Sequence, residues 1–225
     1  MSISNTYHAS CNNHNPAEYL TNPNMLWFSD NDEKRIALEV SKGSRQAMRE
    51  LYSLVAGCMS SACCRYLSDD DAKDVMQDTF LKIITNINSF QYKGKGSLKA
   101  WATRIAINQA LDCIKQKRKQ QQTVSRTDNA DYFMDAIPDE HIDDIDTYEP
   151  DIYNIDSGIL HKFIRSLPEG YRTVFNLYAI EGKSHREIAG MLNIKESSSA
   201  SQYHRAKALL AKKIKNHLQK KQHIQ

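Results

Sequence analysis

The chain has 225 residues, of which 40% are hydrophobic, and its formal net charge at pH 7 is +3, so it carries enough apolar side chains for a folded core but no surplus. No apolar run approaches the roughly 18 residues that a membrane-spanning helix needs, and the first residues lack the basic start and apolar stretch of a signal peptide. Five cysteines without a CxxC pair indicate reduced thiols, and together these features predict a cytoplasmic protein with no membrane insertion.

The N-terminal segment, residues 1–30, is rich in Asn and Ser and is predicted to be a disordered tail. His8, Cys11 and His14 lie close together in it, as the ligands of a zinc site would. A structural zinc ion needs four ligands, and no nearby residue supplies the fourth. We therefore expect no metal and no cofactor.

A helical domain is predicted over residues 31–119, because apolar residues recur there at helical spacing from about Lys34 onward. Gly43 suits the end of a first helix, and Ser44 suits the N-cap of a second. The apolar stripe of that second helix is expected to continue or restart through residues 58–66.

Two further helices are predicted in the same domain. Ser68 precedes three aspartates, which favour the positive end of a helix dipole, and Ser97 is expected to cap the last helix after a loop with two glycines. The predicted inward positions are Val75, Thr79, Phe80, Ile83, Ile84 and Ile87 on the third helix, and Leu98, Trp101, Ile105 and Leu111 on the fourth.

Residues 120–156 are predicted to form a flexible acidic linker. Eleven acidic residues and no Lys or Arg occur from Asp128 to Asp156, which leaves a net charge of +14 on the rest of the chain because the overall charge is +3. Two basic bodies joined by an acidic segment indicate a nucleic acid partner.

A second helical domain is predicted over residues 157–225. Pro168 suits the first position of a helix that Gly182 ends. Ser184 and Glu187 have the spacing of a capping box, which predicts the start of another short helix. No strand-like alternation persists anywhere, so the fold class is all-α.

The last predicted helix begins after a three-residue break, "NIK", and carries a run of serines that is too polar for a core. A short helix, a tight turn and a second helix form a helix-turn-helix, and Asn193 tolerates the left-handed backbone that such a turn requires. The serine-rich helix is therefore expected to face DNA, with hydroxyls toward base edges and a basic C-terminal half toward phosphates.

Three blocks of the sequence resemble the bacterial sigma factors of the sigma-70 family, in their small extracytoplasmic-function (ECF) form. "DAKDVMQDTFLKIITNINSF" and "GSLKAWATRIAINQALDCIKQKRK" are similar to region 2, and "SLPEGYRTVFNLYAIEGKSHREIAGMLNIKESSSASQYHRAKALL" is similar to region 4. The resemblance implies a region 2 helical bundle and a region 4 helix-turn-helix. It also implies a non-enzymatic initiation factor that binds core RNA polymerase, directs it to promoters and assists melting of the DNA.

The resemblance also implies site residues. Asp74, Gln77 and Asp78 fall where sigma factors contact the coiled coil of the largest polymerase subunit. The residues that match the −10-reading segments are Tyr92, Lys93, Lys95, Lys99, Trp101, Arg104 and Asn108. The residues expected at the −35 element are Lys195, Ser197, Ser198, Ser201, Gln202, Arg205 and Lys207, with the cations on phosphates. Further implied partners are the polymerase flap, promoter DNA and an anti-sigma factor, and the linker would follow the RNA channel.

Several alternatives stay open. Trp101 fits a core position at least as well as a base platform, and the same holds for Phe90. Asn193, Lys195 and Ser199 stand where the family usually has Gly, Ser or Thr, and Val or Ile, so the start of the last helix could shift. The rival function is a stand-alone helix-turn-helix regulator. A nuclease is disfavoured, because the sequence contains no catalytic motif.

Overall fold

The structure is a computed structural model that describes residues 30–124 and 156–222. Within those ranges the regular structure is entirely helical, which confirms the all-α prediction. The α-helices are α1 (Asp30–Ser41), α2 (Arg45–Tyr66), α3 (Asp69–Thr85), α4 (Ser97–Val124), α5 (Ser157–Arg165), α6 (Glu169–Phe175), α7 (His185–Leu192) and α8 (Glu196–Gln222), and the π-helix Asn176–Ile180 continues α6. His8, Cys11 and His14, and nearly all of the tail and the acidic linker, lie outside the described residues, so the predictions made for them are untested.

The chain divides into two compact units, with the division between Cys113 and Ile114, inside α4. None of the helices in the described ranges is long and apolar enough to cross a membrane. The predicted domain bounds stay predictions.

In the first unit, α2 packs between α1 and α3, and local caps set where the helices begin. Ser44 accepts a hydrogen bond from the Ala47 N–H at the start of α2, and Ser68 does the same for the Asp71 N–H at the start of α3. Gly43, just after the end of α1, has a φ of 83°. A residue with a Cβ would be strained in this conformation. The helix α2 is continuous through Tyr66, which settles the open question of a restart.

The core of this unit differs from the predicted pattern on α4. Leu98 and Leu111 are buried as predicted, whereas Trp101 and Ile105 are only half-buried, and the inward face is completed by Ile107 and by alanines at every fourth position. The alanines are Ala102, Ala106 and Ala110. Because alanines fill little volume, larger buried side chains of α2 and α3, such as Leu51, Met59 and Ile83, supply much of the core of this unit.

The expectation that Ser97 caps α4 is wrong. Ser97 is the first helical residue, and the carboxylate of Glu33 on α1 accepts hydrogen bonds from the N–H groups of Gly96 and Leu98 at 2.8 and 2.9 Å. The local sequence contains a plausible cap, but a residue more than 60 positions away satisfies the orphan N–H groups instead.

In the second unit, α8 packs against α5, α6 and α7. The buried cluster of this unit consists of Leu167, Tyr171, Ala206 and Leu210. Pro168 lies one residue outside α6, as its N-cap, rather than at the first helical position. Gly182, with a φ of 66°, ends the segment that follows α6.

Candidate nucleic-acid interface

The exposed face of α3 brings together the three residues predicted to bind polymerase. Asp74, Gln77 and Asp78 are all exposed and lie within one turn of each other on the side of α3 that faces away from the core. Leu81 lies one turn further along the same face with 62% of its surface exposed, and sequence reasoning missed it. The face therefore combines two carboxylates, an amide and an apolar side chain, which suits a basic helical partner with some apolar surface.

Leu81 could have been found from its spacing. It follows Asp74 by seven residues and Gln77 by four, so it shares their helical face rather than that of the buried Val75, Thr79 and Ile83. An exposed leucine is common on protein surfaces, and only its place beside polar residues of predicted function makes it informative.

The segment 91–96, which we term the reading loop, carries three of the predicted −10 residues. Lys93 and Lys95 are exposed, and Tyr92 is half-buried with the Lys34 Nζ 4.6 Å above its ring centre. Gly94 adopts a φ of 121°, which is a conformation that only glycine takes without strain. The loop thus presents two cations and one aromatic ring on a backbone shaped by glycine.

The remaining −10 residues lie on the first half of α4. Lys99, Arg104 and Asn108 are exposed, and the last two are one turn apart on the same side of the helix. Trp101 is half-buried and packs against Phe90, with ring centres 5.6 Å apart and planes tilted by 53°. Each ring covers part of the other, so the pair forms a half-exposed aromatic surface beside the cations rather than a fully buried core contact.

The helix-turn-helix is built as the sequence indicates. The Ser184 N–H donates to Glu187 Oε2 at 2.9 Å and the Glu187 N–H donates to Ser184 Oγ at 3.2 Å, which completes the capping box of α7. The hydrogen bonds from the backbone and hydroxyl of Ser184, with a smaller contribution from Lys183, lower the pKa of Glu187 below its usual value. Asn193 has φ 55° and ψ 51°, so the predicted left-handed turn is confirmed.

The start of α8 divides the predicted −35 residues between two faces. Ser197, Ser201 and Lys207 are exposed on one face, Lys195 is exposed in the preceding turn, and Ser198 is half-buried. His204 is exposed on that same face, three residues after Ser201, and was not singled out from the sequence. This face is polar and cationic and is the part of α8 that can enter a groove.

Gln202 does not belong to that face, and its assignment as a groove-facing residue is corrected. Only 3% of its surface is exposed, and its Oε1 has no hydrogen-bond partner among the described residues. It lies one turn after Ser199, which is fully buried. The helix begins at Glu196, with the first hydrogen bond from the Ser199 N–H to the Lys195 carbonyl, and this register turns Gln202 inward.

Ser199 joins the two helices of the motif through a polar contact. Its Oγ lies 3.0 Å from Nδ1 of His185, the first residue of α7. The His185 ring stacks on Tyr178 at 4.4 Å, and Tyr178 also packs against Tyr203 on α8 at 4.4 Å. Burial, and to a smaller extent the neighbouring Tyr178, raises the pKa of Tyr203.

Arg205 is half-buried, with Nη1 donating to the Tyr171 hydroxyl at 3.4 Å. Tyr171 belongs to the buried cluster of the second unit. This contact helps to fix the direction of the Arg205 side chain.

Comparisons with known proteins agree with this arrangement. The family model for Sigma-70 region 2 matches residues 49–120, and that for Sigma-70, region 4 matches residues 157–210. The chain is 26% identical over 185 residues to the ECF RNA polymerase sigma-E factor of Haemophilus influenzae, covering 81% of this chain and 95% of that protein. It is 28% identical over 195 residues to the ECF RNA polymerase sigma factor SigW of Bacillus subtilis, covering 82% and 97%.

Among solved structures, one of CnrH in complex with the cytosolic domain of CnrY has 20% identity and a TM-score of 0.41, over 82% of this chain and 98% of that one.

Proposed function

Since this chain is an ECF member of the sigma-70 family of transcription initiation factors, we propose that it binds core RNA polymerase through α3 and reads the −10 and −35 elements through the reading loop with α4 and through α8. The observation that carries this proposal is the sorting of predicted contact residues onto exposed faces of three separate helices. A regulator with one helix-turn-helix would need only the last of these faces.

Binding to polymerase is assigned to the face formed by Asp74, Gln77, Asp78 and Leu81. The two carboxylates are fully available to arginines of a partner helix, where charge-assisted pairs form bidentate contacts. Leu81, at 62% exposure, would bury apolar area at the end of the same surface. The family implies a second polymerase contact, the flap, for the second unit, and an anti-sigma factor as a competing partner.

Capture of the −10 strand is assigned to the cationic and aromatic surface around the reading loop. Lys93, Lys95 and Lys99 supply charge for the backbone of an unpaired strand, and the Phe90–Trp101 pair and Tyr92 supply rings on which bases stack. Arg104 and Asn108 continue the surface along α4. Strand capture of this kind stabilises melted DNA, which is how a protein without catalytic groups assists promoter opening.

Reading of the −35 element is assigned to the exposed face of α8, with Ser197 and Ser201 toward base edges and Lys195 and Lys207 toward phosphates. Hydroxyls accept and donate, so they fit several bases, and each such contact alone discriminates weakly. Ser198 and Arg205 lie at the edge of the face. Gln202 is buried and does not belong to this surface.

The test is transcription in vitro with purified bacterial core polymerase over a promoter library. We expect start sites that depend on the wild-type chain, and we expect the Asp78→Lys variant to bind core at least about tenfold more weakly, because reversal of one charge in a desolvated pair costs on the order of 2 kcal/mol or more. Asp74→Lys combined with Asp78→Lys should abolish initiation.

The matched control is Glu39→Lys, which reverses the charge of a carboxylate on α1. Glu39 forms an exposed ion pair with Lys42 at 2.9 Å. This variant should bind core as the wild type does. Tight binding of duplex DNA by the chain alone, without initiation when core is added, would overturn the proposal in favour of a stand-alone regulator.

A further inference from the structure

We propose that α1 holds the reading loop in the conformation that captures the −10 strand, with Glu33 as the positioning residue. This inference rests on the function proposed above for the loop. In this proposal, neither Glu33 nor the rest of α1 contacts DNA. They act by fixing the backbone that carries Tyr92, Lys93 and Lys95.

The Glu33 carboxylate lies where the reading loop passes into α4. It accepts hydrogen bonds from the Gly96 N–H at 2.8 Å and the Leu98 N–H at 2.9 Å, and the Ser97 hydroxyl donates to it at 3.4 Å. Only 3% of the Glu33 residue is exposed. A buried carboxylate is unfavourable unless hydrogen bonds satisfy it, and here all three donors come from one three-residue segment.

The neighbouring residue on α1 holds the other end of the loop. The Lys34 ammonium lies over the Tyr92 ring at 4.6 Å, within the range of a cation–π contact. Two consecutive residues of α1 therefore contact the loop near its first aromatic and at its last glycine. The helix itself packs against α2, and Arg35 and Glu50 form an ion pair between the two helices at 2.7 Å.

The loop needs such a support because its own sequence does not determine its shape. Gly94 and Gly96 both have positive φ, at 121° and 87°, and glycine loses more conformational freedom on ordering than any other residue. The Lys93 N–H donates to Ser97 Oγ at 3.3 Å, where the loop joins α4. Fixing this backbone before DNA arrives reduces the entropy lost on binding, which is the general origin of affinity through preorganisation.

The test compares Glu33→Gln with Glu39→Gln in the full chain bound to core polymerase. Both variants replace a carboxylate of α1 by an amide, but Glu39 does not contact the loop. The probe is a fork-junction DNA with an unpaired −10 strand, taken from a promoter selected by the wild-type protein. We expect Glu33→Gln to weaken probe binding about tenfold, since the amide has one acceptor oxygen for two N–H groups, with core affinity unchanged within about twofold. Glu39→Gln should change neither.

A second readout separates a local effect from general destabilisation. Amide hydrogen exchange at Gly96 and Leu98 should become at least about tenfold faster in Glu33→Gln, while exchange in the core of α2 stays at the wild-type rate. Equal acceleration everywhere, or equal losses of core and DNA affinity, would show that Glu33 serves overall stability and would overturn the proposal.

The other end of the loop gives an independent test should Glu33→Gln fail to fold. Lys34 is exposed, so Lys34→Ala leaves the core intact, with Lys42→Ala as its matched control. We expect Lys34→Ala to weaken probe binding about two- to fivefold, and we expect that loss to disappear in a Tyr92→Leu background. Losses that are additive in the double variant would overturn the role of α1.

The two proposals fail in different ways. A wild-type holoenzyme that does not retain the fork-junction probe would refute the proposed function. Retention by the wild type together with wild-type retention by Glu33→Gln would refute only the positioning by α1.

Discussion

The inward placement of Gln202 leads to a prediction that opposes its sequence-based assignment. Its side chain is 3% exposed and its Oε1 is without a hydrogen-bond partner among the described residues. Replacing it with methionine, which has nearly the same length, should stabilise the second unit and leave promoter reading intact. If Gln202 instead reads a base, this substitution should impair promoter reading without stabilising the second unit.

The size of the effect follows from the buried acceptor. An unsatisfied buried polar atom costs about 1–3 kcal/mol, and methionine replaces it with a thioether that needs no partner. Allowing for imperfect fit of the larger sulfur, we expect the free energy of unfolding to rise by about 1 kcal/mol. For a unit of this size that corresponds to an increase in Tm of roughly 4–8 °C.

The assay pairs thermal unfolding with core-dependent initiation at a promoter that needs its −35 element. Gln202→Met should initiate within about twofold of the wild type, whereas Ser201→Ala, on the exposed face of the same helix turn, should lose several-fold because a groove contact is removed. Loss of −35-dependent initiation by Gln202→Met without a change in Tm would refute the inward placement and restore the original assignment.

Three further predictions concern the helix-turn-helix. Ser199→Ala should lower the free energy of unfolding of the second unit by about 1 kcal/mol, because the contact with His185 is lost; an unchanged urea midpoint would contradict this. The folded-state pKa of Glu187 is lowered, so the stabilisation by its carboxylate is complete above the unfolded-state pKa and is lost as the pH falls through the folded-state pKa. Glu187→Gln should therefore flatten the decline in Tm below about pH 4.5. Parallel curves of Tm against pH for the variant and the wild type would contradict this prediction. Asn193→Ala should destabilise by about 1 kcal/mol, owing to the positive φ, while Asn193→Gly should not; equal urea midpoints for the two would show that the turn relaxes.

The parts of the fold that the sequence predicted correctly are those determined within a few residues. The cap at Ser44 and the capping box at Ser184 depend on contacts between positions i and i+3, which a sequence displays directly. The left-handed Asn193 is similar, because few other residue types tolerate that backbone. The residues Asp74, Gln77 and Asp78 on α3 were implied by the family resemblance, and the structure places them on the exposed face of that helix.

The wrong predictions concern residues whose placement depends on contacts with residues distant in the sequence. Ser97 has the identity and position of an N-cap, yet Glu33 accepts the N–H hydrogen bonds of α4, and nothing local to either residue indicates the pairing. Gln202 shows the effect of register. A polar residue in a polar run is expected outside, but the start of α8 at Glu196 and its packing on α7 place that position inward. Tertiary packing overrides residue type in both cases.

Both candidate DNA-reading surfaces have little apolar area and are held in position by polar contacts. A segment that presents hydroxyls, ammonium groups and glycine backbone to DNA has little apolar area to bury, so hydrophobic packing alone cannot fix its position. In the first unit the carboxylate of Glu33 binds the end of the reading loop, and in the second the His185 ring contacts the buried hydroxyl of Ser199 at 3.0 Å. Such contacts are directional, so they constrain orientation more tightly than apolar contacts of similar energy. Substitutions at these supporting residues should therefore impair promoter reading more than they reduce overall stability.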